Sequence, residues 1–186
     1  MRVIAGSRRS LPLKAVPGED TRPTTDRIKE TLFNILMPEI PGCRFLDLFA
    51  GSGGIGIEAL SRGAGYACFA DREQKAVRVI KENLAFTKLT DSSDVIMNDV
   101  IRLLSKQNRG KPFDVIFMDP PYGASLEQEA VTKLVSGTGW MHEDSLIVIE
   151  ADIRTGFSWA DDLPCEITRI KEYKTNKHVF MRLKKE

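Results

Sequence analysis

Arg44-Phe45-Leu46-Asp47-Leu48-Phe49-Ala50-Gly51-Ser52-Gly53-Gly54-Ile55-Gly56 is the stretch from which the fold can be read. Its first six residues are mostly apolar and lack proline and glycine, which predicts a short buried parallel strand. Glycines follow at once, and Ile57-Glu58-Ala59-Leu60 opens a helix. Gly51, Gly53 and Gly56 meet the G-x-G-x-x-G spacing, where glycine permits a tight turn and a close approach of backbone to ligand. A second strand is expected over Tyr66-Ala67-Cys68-Phe69-Ala70. It ends in Asp71, about 20 residues past the glycine loop, where an acid would meet ribose hydroxyls. To this point a nicotinamide-dependent oxidoreductase fits equally well.

Further acids tilt the reading. Asp47 interrupts the first strand two residues before its end. A carboxylate there suits the amino-acid end of S-adenosylmethionine but would repel a pyrophosphate. A third strand, Asp94-Val95-Ile96-Met97, ends at Asn98-Asp99. Asp99 can accept from an adenine amino group or, equally, cap a helix starting at Val100.

A fourth strand, Phe113-Asp114-Val115-Ile116-Phe117-Met118, runs into Asp119-Pro120-Pro121-Tyr122. Two prolines stop the strand and stiffen the loop, because they donate no backbone hydrogen bond. Open α/β sheets bind ligands at this carboxyl edge. The loop offers an acid as hydrogen-bond acceptor and a ring for stacking, and an exocyclic amino group on a nucleobase needs both. A bare Pro-Pro would mean only a strand-terminating turn; the four residue types together favour a functional loop.

The tract Asp47-Leu48-Phe49-Ala50-Gly51-Ser52-Gly53, then Asp71, Asp99 and Asp119-Pro120-Pro121-Tyr122, resembles class I methyltransferases that act on an exocyclic amine. More narrowly, Arg2-Val3-Ile4-Ala5-Gly6, Thr21-Arg22-Pro23-Thr24 and Asp26-Arg27-Ile28-Lys29-Glu30-Thr31-Leu32-Phe33-Asn34-Ile35-Leu36 are similar to the RsmD family. Those are bacterial guanine-N2 methyltransferases of small-subunit ribosomal RNA. Two departures stand out: Arg8-Arg9-Ser10-Leu11 lacks the glycine expected in that basic turn, and no Tyr-Gly pair precedes Asn176-Lys177-His178-Val179-Phe180-Met181.

The resemblance implies an α/β, Rossmann-like class I methyltransferase fold: a mixed seven-stranded sheet, helices on both faces, and a small N-terminal β-hairpin or arm over residues 1–20. Residues 21–186 would form the methyltransferase unit. It implies S-adenosyl-L-methionine as cofactor and no metal. The cofactor residues would be Arg22, Thr24, Asp47, Phe49, Ala50, Gly51, Ser52 and Gly53, with Asp71, Asp99, Val100 and Asp119. Asp119, Pro120, Pro121 and Tyr122 would be catalytic, and Arg2, Arg8, Arg9 and Lys14 would contact RNA. The implied partner is ribosomal RNA within a small-subunit ribonucleoprotein, met by a monomer with no membrane partner. Other classes remain: an adenine-N6 methyltransferase, a glutamine methyltransferase (which usually has Asn at position 119), the oxidoreductase, and a non-catalytic RNA-binding module.

Composition agrees with a globular enzyme of 186 residues, 42% of them hydrophobic. No apolar run reaches transmembrane length, and no secretory h-region is present. Cys43, Cys68 and Cys165 are odd in number and widely spaced, so reduced, partly buried thiols in a cytoplasm are expected. The net charge of +1 conceals segregation. Residues 1–14 carry Arg2, Arg8, Arg9 and Lys14 without an acid, and residues 167–186 hold seven bases against Glu172 and Glu186, leaving an acidic centre. Basic ends suit phosphate, and an acidic centre suits a sulfonium. Lysines also protect solvated edge strands from aggregation, which is an even alternative for the tail.

Periodicity places helices over residues 25–37 (apolar stripe Ile28, Leu32, Ile35, Leu36, with Thr24 or Thr25 as cap), 73–88, 100–107 and 125–136. Leu146-Ile147-Val148-Ile149-Glu150 reads as the fifth strand, and residues 165–171 and 177–183 as a closing antiparallel pair. Trp140 and Trp159 read as packing residues.

Overall fold

The computed structural model describes residues 1–18 and 26–185. Its strands are β1 (Arg44–Leu48), β2 (Tyr66–Asp71), β3 (Ser93–Met97), β4 (Phe113–Met118), β5 (Met141–Asp152), β6 (Cys165–Glu172) and β7 (Asn176–Leu183). They form one sheet in the order β3-β2-β1-β4-β5-β7-β6. The first five are parallel, and β7 runs antiparallel between β5 and β6. This is the Rossmann-like, class I methyltransferase arrangement. Strand order reverses between β1 and β4, which opens a crevice at the carboxyl ends of those two strands.

Helices cover both faces: α1 (Asp26–Leu36), α2 (Gly54–Ser61) and α3 (Gln74–Thr87) on one, α4 (Val100–Leu104) and α5 (Leu126–Val135) on the other. Side chains alternate along each strand. Phe45, Phe69, Val115, Phe117 and Val148 meet the first group of helices, while Leu46, Leu48, Ile116, Met118, Ile147 and Ile149 meet the second. The strands are buried on both sides, which explains their near-continuous apolar sequence. Trp140 packs on Phe113 with ring centroids 6.2 Å apart and donates Nε1–H to the Lys106 carbonyl. Trp159 is partly buried against the same core.

Three sequence expectations need adjustment, the first being β5, which runs Met141–Asp152 and so extends beyond the apolar run 146–150 at both ends. The buried face of α1 is Lys29, Leu32, Phe33 and Leu36, with Ile28 and Ile35 only half-buried. Helix α4 is one turn shorter than expected, ending at Leu104. The expected caps Thr24 and Thr25 lie outside the described residues.

Residues 1–13 form a hairpin-like segment, with Arg2 bridging Pro12 and Val3 N–H donating to the Leu11 carbonyl. It does not stand free. Fully buried Glu58 accepts from the backbone N–H groups of Ile4 (2.7 Å) and Ala5 (3.0 Å), and pairs with Arg62 (2.7 Å) and Lys29 (3.4 Å). Lys29 also donates to the Arg2 carbonyl at 2.6 Å. One carboxylate thus ties hairpin, α1 and α2 together. Burial pulls the Lys29 ammonium below its ordinary value, and Glu58 opposes that. Breaking a buried pair strands the remaining charges and costs about 3–5 kcal/mol. Glu58→Ala should therefore lose about that much in urea denaturation, with faster amide exchange at Ile4 and Ala5. Wild-type stability and exchange would show that this cluster does not anchor the hairpin.

Candidate active site at the carboxyl edge of the sheet

Four parallel strands deliver their acids to one edge. Asp71 ends β2, Asp99 follows β3, Asp119 follows β4, and Asp47 lies one residue inside β1. Because β3, β2, β1 and β4 are consecutive neighbours, these acids follow one another along the carboxyl edge of the sheet, where strand order reverses between β1 and β4.

The glycine loop is shaped by contacts on its protein side. The Phe49 backbone turns left-handed (φ 58°) as the chain leaves β1, a strained state for a bulky residue. Gly51 N–H donates to Asp71 Oδ2 at 2.9 Å, so the first acid of the second strand shapes the loop. Asp71 Oδ1 accepts from Glu73 N–H at 2.9 Å, and a carboxylate has acceptor capacity beyond two such bonds. Asn83, buried on α3, donates to the carbonyls of Ser52 (2.9 Å) and Lys14 (3.0 Å) and accepts from Lys14 N–H (2.9 Å). This amide joins the loop to the N-terminal segment.

The three glycines of the motif have different surroundings. A Cβ on Gly56 would lie 2.3 Å from the Phe69 ring, so this glycine lets α2 press onto the sheet. A Cβ on Gly53 would meet Ile80 and Phe69 at 3.3 Å. Its Cα–H side therefore packs on α3 and β2. Gly51 alone of the three has nothing within 4 Å of a Cβ position and is open for close approach.

Asp47 sits on the α2 side of β1, in register with Phe69 and Phe117, and is only 2% exposed. Its Oδ2 accepts from Gly56 N–H at 2.9 Å, in the first turn of α2. Burial pushes its carboxyl up to about 8, the Gly56 bond opposes this, and Asp71 adds to it. Asp99 is the N-cap of α4 and accepts from Arg102 N–H at 2.9 Å through Oδ1, leaving Oδ2 for another donor. Val100 beside it is buried.

In the Asp119–Tyr122 loop, Pro120 is buried and Tyr122 is 56% exposed. Asp119 opens to the crevice but is crowded by protein elsewhere. Desolvation first, then the charges of Glu150 and Asp47, hold its carboxyl well above the usual range; the open side limits the displacement.

Of the basic arm residues, Arg2 pairs with Asp26 (2.8 Å), Arg8 Nε donates to the Thr87 carbonyl (2.6 Å), and Lys14 pairs with Glu82 (2.7 Å). Arg9 is exposed. A cavity of about 310 Å³ is lined by Arg2, Arg9, Ser10, Asp26, Arg27 and Glu30. None of the strand-edge acids lines it. Arg22 and Thr24 lie outside the described residues. Among the described residues, no cluster of His, Cys, Asp or Glu is placed to hold a metal, and no helix is long and apolar enough to cross a membrane.

A family model described as conserved hypothetical protein 95 matches residues 1–183. Ribosomal RNA small subunit methyltransferase D of Escherichia coli (strain K12) is 38% identical over 158 residues, 84% of this chain and 77% of that protein. The chain belongs to the RsmD family. YlbH of Bacillus subtilis (strain 168), provisionally named an rRNA methyltransferase, is 47% identical over 153 residues, 82% of this chain and 83% of its own. The solved structure of yhhF from Escherichia coli matches with a TM-score of 0.85 and 31% identity, covering all of this chain and 99% of that one.

The Asp47 carboxyl has a consequence for stability. It keeps its proton in the folded chain at pH values where the unfolded chain has lost it. Stability therefore falls as pH rises from about 4 toward about 8, by at most about 1.4 kcal/mol per pH unit. Asp47→Asn retains an acceptor for Gly56 N–H and removes the titration. Denaturation at several pH values should show the variant gaining on the wild type as pH rises; a constant difference would mean that Asp47 is ionised in the fold.

Proposed function

We propose that this chain transfers a methyl group from S-adenosylmethionine to the exocyclic N2 amine of a guanine in small-subunit ribosomal RNA. The observation that carries this reading is the Asp119-Pro120-Pro121-Tyr122 loop at the β4 side of the switch-point crevice, in a chain whose family relatives are named for ribosomal RNA methylation. An oxidoreductase would leave that loop without a task.

The residues present fit such a cofactor. Gly51 is open to close approach. The Asp71 carboxylate has acceptor capacity left for ribose hydroxyls, and Asp99 Oδ2 for an adenine amine. Asp47 and the backbone of residues 49–53 border the crevice near the amino-acid end; Arg22 and Thr24, which the family resemblance also assigns to the cofactor, lie outside the described residues. When bound, the cofactor supplies a methyl group activated by its sulfonium.

The exocyclic amine is a poor nucleophile because its lone pair is delocalised into the ring. Hydrogen bonds from its N–H groups to the Asp119 carboxylate and the Pro120 carbonyl would turn that lone pair toward the methyl. Tyr122, exposed at the crevice, would stack the flipped base, while Pro121 holds the loop rigid. The N–C bond forms as the S–C bond breaks, and the extra proton on nitrogen leaves to Asp119 or water. Positioning and electrostatics carry the rate.

The Arg2, Arg8, Arg9 and Lys14 face would hold the RNA. Three of the four already have protein partners, but Arg2 and Lys14 sit in exposed pairs that water and salt screen, which phosphates can replace.

Two measurements check this. Asp119→Ala should keep S-adenosylhomocysteine affinity within a few fold and cut methyl transfer to small-subunit ribosomal particles by roughly 10²-fold or more; near-wild-type turnover would remove Asp119 from its role. Neutralising Arg8, Arg9 and Lys14 together should lower the slope of log RNA affinity against log salt by roughly 2–3. An unchanged slope would place RNA docking elsewhere, the basic β6–β7 pair being the next surface to test.

A further inference from the structure

Beside the Asp119 loop, β5 and β7 bury a group of polar side chains. Glu150, Asn176 and His178 are all buried. Asn176 Nδ2 donates to Glu150 Oε1 at 2.7 Å, and His178 Nε2 lies 3.2 Å from Glu150 Oε2. The Tyr173 hydroxyl lies 3.2 Å from His178 Nδ1. Since Glu150 accepts, the network assigns the proton of a neutral His178 to Nε2, with Nδ1 accepting from the tyrosine. The His178 ring stands edge-on to Phe117 and Tyr173, which fixes its orientation.

Register connects this chain to the loop. Met118 on β4 pairs with Ile149 on β5, and Glu150 pairs with His178 on β7. The next step along β4 and β5 sets Asp119 beside Glu150, on the face of Phe117 and Val148. Among the described residues, the titratable groups that face Asp119 are Glu150 from β5 and Asp47 from β1. Lys177 lies over the Phe157 ring on the opposite face. Burying such groups costs free energy that apolar side chains would not, and the two parallel hydrogen bonds hold a carboxylate beside the reactive acid.

We propose that Glu150, fixed by Asn176 and the Tyr173–His178 pair, is a positioning residue that makes Asp119 a better acceptor of the proton released by methylation. This rests on the functional reading above. As the N–C bond forms and the S–C electron pair returns to sulfur, the nitrogen carries a surplus proton; Asp119 takes it and passes it to water. The negative charge of Glu150 raises the proton affinity of Asp119, bringing it closer to the working pH, where proton transfer is most effective.

The test is single-turnover transfer of a labelled methyl from S-adenosylmethionine to small-subunit ribosomal particles from cells lacking the enzyme, followed across pH. Wild type should show an acid limb that disappears in Asp119→Asn. Glu150→Gln should move that limb toward acid by about one pH unit, with S-adenosylhomocysteine affinity unchanged. Tyr173→Phe, at a half-buried position, should move it the same way by less, because a loosened His178 holds the Glu150 charge less well. A limb that stays in place in folded Glu150→Gln overturns the inference; if that variant does not fold, an unmoved limb in Tyr173→Phe does so. An acid limb that survives in Asp119→Asn overturns the functional reading, and the inference with it.

Discussion

Helix α2 approaches the sheet so closely that no methyl group could stand between Gly56 and the Phe69 ring. The site depends on this contact. It lets the buried Asp47 carboxyl reach the Gly56 amide in the first helical turn, which fixes where the helix begins relative to the end of β1. The connecting residues must then turn sharply, through the left-handed Phe49 and Gly51, and they leave Gly51 facing open space. Packing on one side of the glycine loop thus sets the shape of its other side.

The same economy recurs around the crevice. Acids at the strand ends bind backbone amides of the protein and retain further acceptor capacity, Asp71 through Gly51 and Glu73, Asp99 through Arg102. A carboxylate oriented by one hydrogen bond can receive a ligand's donor with little further ordering. Glu58 and Asn83 extend the scaffold outward by holding the N-terminal segment against α2, α3 and the loop. The surface proposed for RNA and the glycine loop therefore share one support.

Much of this was legible in the chain. The apolar runs of β1, β2 and β4 are conspicuous because both faces are covered, and the prolines after Met118 mark the sheet edge. The order of seven strands came from family resemblance, since periodicity says nothing about which strands are neighbours. Spacing identifies the glycines without telling which side of the loop a Cβ would occupy, so the close contact of Gly56 with Phe69 was not legible. Lys29 and Glu58 escaped notice since a lone charge on a helix normally faces water. Glu58 within Ile57-Glu58-Ala59-Leu60 was a usable signal, an acid in an otherwise apolar helix. Glu150 and His178 lie 28 residues apart and meet only through the antiparallel pairing of β5 with β7, which local sequence does not encode.

The central claim is that the crevice between β1 and β4 accepts the methyl donor with its glycine loop and strand-end acids. Calorimetric titration with S-adenosylhomocysteine, and with NAD under the same conditions, tests it most directly. The account predicts saturable one-to-one binding of S-adenosylhomocysteine and no heat of binding from NAD. Binding of NAD without binding of S-adenosylhomocysteine would contradict it.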